Sequence, residues 1–246
     1  MGMELRLAVR AWSAWAPQRE TPAAWRAWAG ATDIPANDAD ASPAAVPMML
    51  RRRATALGRK MISSALACGE TARTGRYVLA SRHGEFSRTL DILKSLAQDD
   101  LPSPAEFSMA VHNALAGLLS IHLSNTRGHT ALAAGLDSFG FGLMEAAACL
   151  VEQPCEPVLF FFGDEPLPGE YAAFGEDDAD LPLVIALALQ TPGVDDDSIL
   201  FDSIPRCAGP RPSTATAIEF LRFLLSGAES AVSEGERMTW MWRRAA

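Results

Sequence analysis

The sequence has few basic residues: 21 lysines and arginines face 30 aspartates and glutamates, for a formal net charge of −9. Proteins that neutralise nucleic-acid phosphates need a basic face, and so do proteins held on anionic membranes by general electrostatics. The composition therefore predicts no nucleic-acid partner and no electrostatic attachment to a membrane.

Long apolar runs are also missing. The most apolar stretches, residues 158–162 and 183–189, are far shorter than the roughly 20 residues that a membrane-spanning helix needs. Near the start, Glu4, Arg6 and Arg10 interrupt any apolar segment of the kind found in a secretory signal. We therefore expect a cytoplasmic protein without a membrane span.

Cysteine is scarce, and its spacing fits neither a disulfide framework nor a zinc site. The four residues form no C-x-x-C pair. We interpret them as reduced thiols and predict neither a metal nor a cofactor. They are Cys68, Cys149, Cys155 and Cys207.

What is present is typical of one globular α/β domain covering residues 1–246, with 49% hydrophobic and 21% charged residues. Period-two alternation and continuous apolar runs predict strands at 4–11, 76–81, 158–162, 181–190 and 238–243. Helical periodicity predicts helices at 51–67, 85–98, 136–151 and 218–227, and a segment at 107–120 that starts extended and becomes helical. Strands and helices alternate, which indicates a sheet with helices on both faces. Residues 30–47, rich in Ala, Asp, Pro and Asn, are predicted to be a loop or linker.

The most informative stretch is a predicted tight turn, Thr130–Gly135, within the longer turn segment 128–135. It leads into a helix rich in Ala, Gly and Ser. Small side chains let a helix approach its neighbours closely, so we expect this helix to be central. The apolar run at 158–162 predicts a strand covered on both faces.

Several blocks, in this order, resemble the β-ketoacyl synthase-like N-terminal-domain proteins, over about Trp12 to Trp242. That group includes chain-length-factor-like subunits of aryl polyene and xanthomonadin-type pathways. The resemblance implies a three-layer α/β/α half-thiolase-like fold with a mixed sheet, because 246 residues leave no room for the second half of a ketosynthase. The blocks are 47–61, 80–85, 107–113, 130–135 and Asp164–Pro168.

The resemblance also implies that catalytic groups are lacking. In the family pattern Thr-Ala-Cys-(Ala/Ser)-x-Gly the nucleophilic cysteine aligns with Leu132, which has no nucleophile. The two ketosynthase histidines follow that cysteine, whereas no histidine follows Leu132 here. We therefore expect no catalytic residue and no enzyme activity of its own. The four histidines are His83, His112, His122 and His129.

A ketosynthase-like subunit without catalysis is expected to pair with a catalytic ketosynthase as a heterodimer and to help shape its acyl tunnel. It would meet acyl carrier protein through that complex, with the catalytic partner supplying most of the docking surface because this chain is acidic. Residues at the tunnel or interface are implied by the resemblance. They are Phe107, His112, Asn113, Leu132, Phe139 and Phe141.

Two other functions remain open. A small acyl-thioester-processing enzyme could use Ser138 or a cysteine, although Ser138 is one residue off the G-x-S-x-G spacing and lies in a predicted helix. A homodimeric protein could bind acyl chains without any catalytic partner. Asp164 and Glu165 are interpreted as residues that anchor a turn, because they follow a strand without a base partner or metal spacing.

Overall fold

A computed structural model describes residues 5–30, 44–174, 182–194, 196–207, 209 and 215–245. These residues form eight strands in one sheet, nine α-helices and a 3-10 helix at Gly169–Phe174. The strands are β1 (Leu5–Trp15), β2 (Arg76–Ala80), β3 (His129–Leu132), β4 (Val158–Asp164), β5 (Leu183–Gln190), β6 (Ile199–Pro205), β7 (Ser230–Glu234) and β8 (Met238–Arg244). The helices are α1 (Pro22–Trp28), α2 (Met48–Arg53), α3 (Ala56–Ala67), α4 (Glu70–Thr74), α5 (Phe86–Ala97), α6 (Pro104–Ala110), α7 (Ala114–Leu123), α8 (Ser138–Glu152) and α9 (Thr216–Ser226).

The sheet is mixed, with strand order β3-β2-β4-β5-β1-β6-β8-β7. Strands β3, β2 and β4 are parallel, and every other neighbouring pair is antiparallel. The carboxyl ends of the three parallel strands therefore lie side by side, where sites gather in many α/β proteins.

The two faces of the sheet carry separate hydrophobic clusters. On β4, Phe160 and Phe162 belong to the first cluster, whereas Leu159 and Phe161 belong to the second. Helices α1, α8 and α9 cover the first face, and α2, α3, α4 and α7 cover the second. The predicted three-layer α/β/α arrangement and the doubly covered strand are confirmed.

The central position of the small-residue helix is also confirmed. A Cβ atom added to Gly142 of α8 would lie 2.6 Å from Ala80 Cβ and 2.6 Å from a ring carbon of Phe160. Glycine at this position therefore lets α8 lie directly against β2 and β4. Among the described residues, no helix is both long and apolar enough to cross a membrane.

The single helix predicted at 51–67 is wrong, because the chain breaks between α2 and α3. Ala54 is extended, with ψ of 144°, and ends α2. The Thr55 hydroxyl accepts a hydrogen bond from the Gly58 amide at 3.1 Å and starts α3. Threonine caps a helix in this way because its side chain satisfies an otherwise unpaired N–H group.

The segment predicted to start extended at 107 is helical from Pro104 onward. Ser103 and Glu106 form a reciprocal capping box, and proline occupies the first helical turn. Helix α6 ends at Ala110, and a second helix, α7, starts at Ala114. The sequence therefore contains two short helices where one segment was predicted.

Strand predictions needed three corrections. Residues 129–132 were predicted to lie in the turn segment 128–135, but they form the edge strand β3. The strand predicted at 4–11 continues to Trp15 as β1, with a register irregularity between Val9 and Ala11. Strands β6 and β7 were not predicted.

Most of the predicted loop 30–47 lies outside the described residues, and only its ends, at 30 and 44–47, are seen without regular structure.

Candidate functional site

The turn after β3 is closed by its own residues. Ser138, the first residue of α8, accepts a hydrogen bond from the Ala134 amide at 2.9 Å and donates one to the Gly135 carbonyl at 2.7 Å. Gly135 has a φ of 62°, a conformation that favours glycine. The Ser138 hydroxyl therefore fastens the turn, and its described partners are both backbone groups.

Leu132 ends β3 immediately before this turn. Its side chain is partly buried and packs against the first hydrophobic cluster. Its carbonyl oxygen lies 3.0 Å from His112 Nε2. Because a carbonyl can only accept, Nε2 is the protonated nitrogen. His112 thus tethers the end of β3 to the junction between α6 and α7.

Asn113, beside His112, makes a second contact with β3. Its side-chain amide nitrogen lies 3.2 Å from His129 Nε2 and, being a donor, requires that nitrogen to be the unprotonated one. The two neighbouring residues His112 and Asn113 therefore hold the two ends of the four-residue edge strand. Both belong to the predicted interface set.

Asp164, at the end of β4, anchors the loop that follows β2. Its carboxylate accepts hydrogen bonds from the Ser81 hydroxyl at 3.0 Å and from the amides of Arg82 and His83 at 2.8 and 3.2 Å. Burial raises the pKa of Asp164 to about 6, against these hydrogen bonds, which favour the charged form. The interpretation of Asp164 as an anchoring residue is confirmed.

Two further carboxyl groups lie near this loop. Burial raises the pKa of Glu85, and burial together with the negative charge of Glu85 raises the pKa of Glu165. Glu85 hydrogen-bonds to the hydroxyl of Thr55. The Glu85 bond ties the loop after β2 to Thr55, the residue that caps the start of α3.

The three phenylalanines of the predicted tunnel set occupy different environments. Phe107 is 62% exposed on α6, a helix that buries none of its residues. Phe139 is 1% exposed, with its ring 5.3 to 5.5 Å from those of Phe160, Phe162 and Phe220. Phe141 is partly buried and meets the Trp240 ring edge-on at 5.2 Å.

The cysteines offer no activated thiol in the core. Burial raises the pKa of Cys68 to about 12 and also raises the pKa of Cys149. Cys155 and Cys207 are exposed, and all four thiols are free. Within the described part of the chain, no three His, Cys, Asp or Glu side chains come together as a metal site requires.

The hairpin between β7 and β8 is a part of the site that the sequence did not reveal. Asp137, wholly buried just before α8, accepts hydrogen bonds from the Arg237 amide at 2.7 Å and from Trp240 Nε1 at 2.9 Å. The Arg237 guanidinium donates to the Ala134 carbonyl at 3.0 Å. The only local signal is a carboxylate beside a helix start, because these partners lie about 100 residues away.

The turn, β3 and the junction between α6 and α7 are joined by the His112 and Asn113 bonds, and the exposed helix α6 leads into that junction. Leucine ends the strand, the turn hydroxyl is bonded to backbone, and both histidines at the strand hydrogen-bond within the chain. Among the described strands, β3 lies at one end of the sheet's order, with β2 as its single neighbour. An edge strand of this kind leaves backbone donors and acceptors available to another chain.

Comparisons with known proteins agree with this geometry. The family model for the β-ketoacyl synthase N-terminal domain matches residues 25–243. A solved structure of the ketosynthase ApeO in complex with its chain length factor ApeC from Xenorhabdus doucetiae contains a similar chain. That similar chain is 28% identical to this one with a TM-score of 0.81, and the match covers 98% of this chain and 100% of that chain.

Two more distant structures share the fold. The ishigamide ketosynthase/chain length factor is 15% identical with a TM-score of 0.60, over 91% of this chain and 74% of that chain. A chain of the AntDE:AntF complex, a type II acyl-carrier protein with its ketosynthase, is 14% identical with a TM-score of 0.62. That match covers 83% of this chain and 70% of that chain. A search of curated protein sequences gave no match.

These similarities confirm the half-thiolase-like α/β/α fold that the resemblance implied. The family match covers the turn, the edge strand, α6 and the hairpin that clamps the turn. The chain therefore belongs to the β-ketoacyl synthase N-terminal-domain family.

Proposed function

We propose that this chain is a non-catalytic, chain-length-factor subunit. It pairs with a catalytic β-ketoacyl-acyl-carrier-protein synthase and helps to shape that enzyme's acyl tunnel, in polyene or related fatty-acid-type biosynthesis. The similar chain from Xenorhabdus doucetiae comes from a complex of a ketosynthase with its chain length factor, which supports a synthase as partner.

The observation that carries the proposal is Leu132 at the end of β3, beside an intact turn. Acyl transfer by a ketosynthase requires a thiolate at this position, and a leucine side chain has no atom that can bond covalently to an acyl group. The turn is nevertheless held by Ser138, Asp137 and Arg237. A turn that keeps its geometry without a nucleophile is suited to an interface.

The surface next to the turn supports a partner of substantial size. Helix α6 exposes Phe107 and buries none of its residues in this chain, and Val111, directly after the helix, is also exposed. Exposed apolar side chains grouped beside an edge strand are typical of surfaces that another protein covers. We therefore assign α6 and β3 to the contact with the synthase.

Phe107 is the strongest candidate for limiting the tunnel. Its ring is exposed on α6, so a partner that covers this helix would have the Phe107 ring packed against its own surface. His112 lies at the following helix junction with its Nε2 bonded to the Leu132 carbonyl. Phe139 would act indirectly, by supporting α8 from the core.

The carrier protein is assigned mainly to the synthase. The net charge of −9 opposes the approach of an acidic carrier to most of this chain. The exposed end of α2 is a local basic surface that does not repel an acidic carrier. There Arg51, Arg52 and Arg53 make no side-chain ion pair among the described residues. Tighter carrier binding by the isolated chain than by its complex with the synthase would contradict this assignment.

Co-expression with a full-length ketosynthase, followed by size-exclusion chromatography, tests the pairing. We expect a heterodimer whose products lengthen when Phe107→Ala removes the exposed ring. Val232→Ala is a matched control, because Val232 is also 62% exposed but lies on β7, at the opposite edge of the sheet.

Three results would contradict the proposal. Unchanged product lengths with Phe107→Ala would remove the tunnel role from that residue. Self-association without binding to any synthase would favour the homodimeric acyl-binding protein. Thioester turnover by the purified chain, abolished by Ser138→Ala or by a thiol reagent, would favour the small acyl-processing enzyme.

A further inference from the structure

The hairpin between β7 and β8 contacts the residues just before α8. The Gly235 amide donates to the Met238 carbonyl at 2.7 Å, which closes the hairpin turn. Glu236 and Arg237 at its tip face the turn after β3, where Glu236 Oε2 lies 3.4 Å from the Leu136 amide. One short segment therefore covers the turn from outside.

Arg237 makes three contacts with this region through its side chain, one of which is an ion pair between Nε and Asp137 Oδ2 at 3.9 Å. Its guanidinium donates to the Ala134 carbonyl at 3.0 Å and lies over the Phe141 ring, 5.7 Å from the centroid. Its backbone amide separately donates to Asp137 at 2.7 Å. The planar guanidinium suits this double role, because it can donate in its plane and stack with its face.

Two anchors hold the hairpin in place independently of the Arg237 side chain. Trp240 Nε1 donates to the buried Asp137 carboxylate, and the Trp240 ring packs against Gly140, where a Cβ atom has no room. The Arg237 amide bond to Asp137 also remains when the side chain is removed. Substitution of Arg237 therefore leaves these two anchors in place. It releases the Ala134 carbonyl and the Phe141 ring and removes the ion pair between Arg237 Nε and Asp137.

We propose that Arg237 is a positioning residue, which fixes the turn at Ala134 and the ring of Phe141 in the geometry that the synthase recognises. This inference rests on the proposed function for its effect on the partner, whereas the ordering of the turn by Arg237 does not depend on it. The side chain is 61% exposed, so its contacts with the turn lie at the surface of the chain.

The test compares Arg237→Ala with Arg222→Ala. Arg222, on α9, is a matched control because its guanidinium also lies over an aromatic ring, 4.9 Å from the Trp28 centroid, and its side chain is 49% exposed. We expect Arg237→Ala to weaken binding to the co-expressed synthase by about tenfold, as loss of one charge-assisted hydrogen bond predicts, and to shift product lengths. Arg222→Ala should change neither.

A second measurement works without the synthase. Hydrogen exchange of the amides from Ala134 to Phe141 should become faster with Arg237→Ala and stay unchanged with Arg222→Ala. Arg237→Lys, which keeps the charge but not the planar donor, should behave like Arg237→Ala. Equal exchange in all variants would overturn the positioning role, and so would faster exchange with unchanged affinity and product lengths. A wild-type chain that binds no synthase would instead count against the proposed function.

Discussion

Helices α6 and α8 each carry a phenylalanine predicted to face an acyl tunnel, yet their environments are opposite. Phe139 on α8 lies in the middle of an aromatic cluster with 1% of its surface exposed, whereas Phe107 on α6 is 62% exposed. The first side chain completes the hydrophobic core of this chain. The second is mostly exposed in the described part of the chain and is available to another protein.

The difference separates two kinds of apolar residue that look alike in sequence. Burial of an aromatic side chain contributes to the free energy of folding, and its removal leaves a cavity. An exposed aromatic side chain contributes little to folding, and where it belongs to an apolar patch another protein can cover it. The comparison between α6 and α8 can therefore be tested first by stability.

The largest effect is expected for Phe139→Ala. Removal of this ring from between Phe160, Phe162 and Phe220 should lower the free energy of unfolding by about 3–5 kcal/mol. Urea denaturation followed by circular dichroism measures the change. Phe107→Ala, the comparison on α6, should change it by less than about 0.5 kcal/mol. Equal losses for the two variants would break the distinction between the helices.

A smaller effect is expected from Asp164, which anchors the loop that brings Gly84 close to the His112 ring. The pKa of Asp164 is raised to about 6, so the folded chain holds a proton that the unfolded chain releases near pH 4. Stability should therefore fall as the pH rises from about 4 to about 6, by roughly 2 kcal/mol after allowance for the partial exposure of this residue.

Asp164→Asn should flatten this pH dependence, because the amide oxygen can still accept from Ser81 and Arg82 but does not titrate. Part of the slope should persist through Glu85 and Glu165, whose pKa values are raised in the same direction. Asp100→Asn changes an exposed carboxylate and is the control, with the wild-type slope. An unchanged slope with Asp164→Asn would show that other groups cause the pH dependence.

Much of the core on the α8 side could be predicted from the sequence. Continuous apolar runs identified β4 and β5, because strands covered on both faces have no polar alternation. Small residues identified α8 as a central helix. On the α6 side, two local signals mark helix starts that hydrophobic periodicity alone does not locate. Thr55 caps α3, and Ser103 with Glu106 forms the capping box of α6.

The clamp on the turn could not be predicted in the same way. Asp137 and Arg237 meet across about 100 residues, and neither position carries a periodic signal. Strand β7, Ser-Ala-Val-Ser-Glu, is short and mostly polar because it lies at the edge of the sheet with exposed residues. Its pairing depends on the tertiary context rather than on its own propensity.

The smallest effect concerns the thiols and tests whether α8 is as closed as the burial of Phe139 indicates. Cys149 lies on α8, where burial raises its pKa, and Cys68 is buried with a pKa of about 12. A thiolate is the reactive species, so both should react with Ellman's reagent only on unfolding. Cys155 and Cys207 are exposed and should react quickly in the native chain.

The native chain should therefore show two fast thiols, and four in denaturant. Cys149→Ser should leave the number of fast-reacting thiols in the native chain unchanged, whereas Cys155→Ser should reduce that number by one. A fast reaction at Cys149 would mean that α8 opens readily from the sheet, because the reagent must reach a side chain that the closed helix covers. In that case Phe139 would also be transiently accessible. Helices α8 and α6 would then differ only in how often their phenylalanines are exposed to solvent.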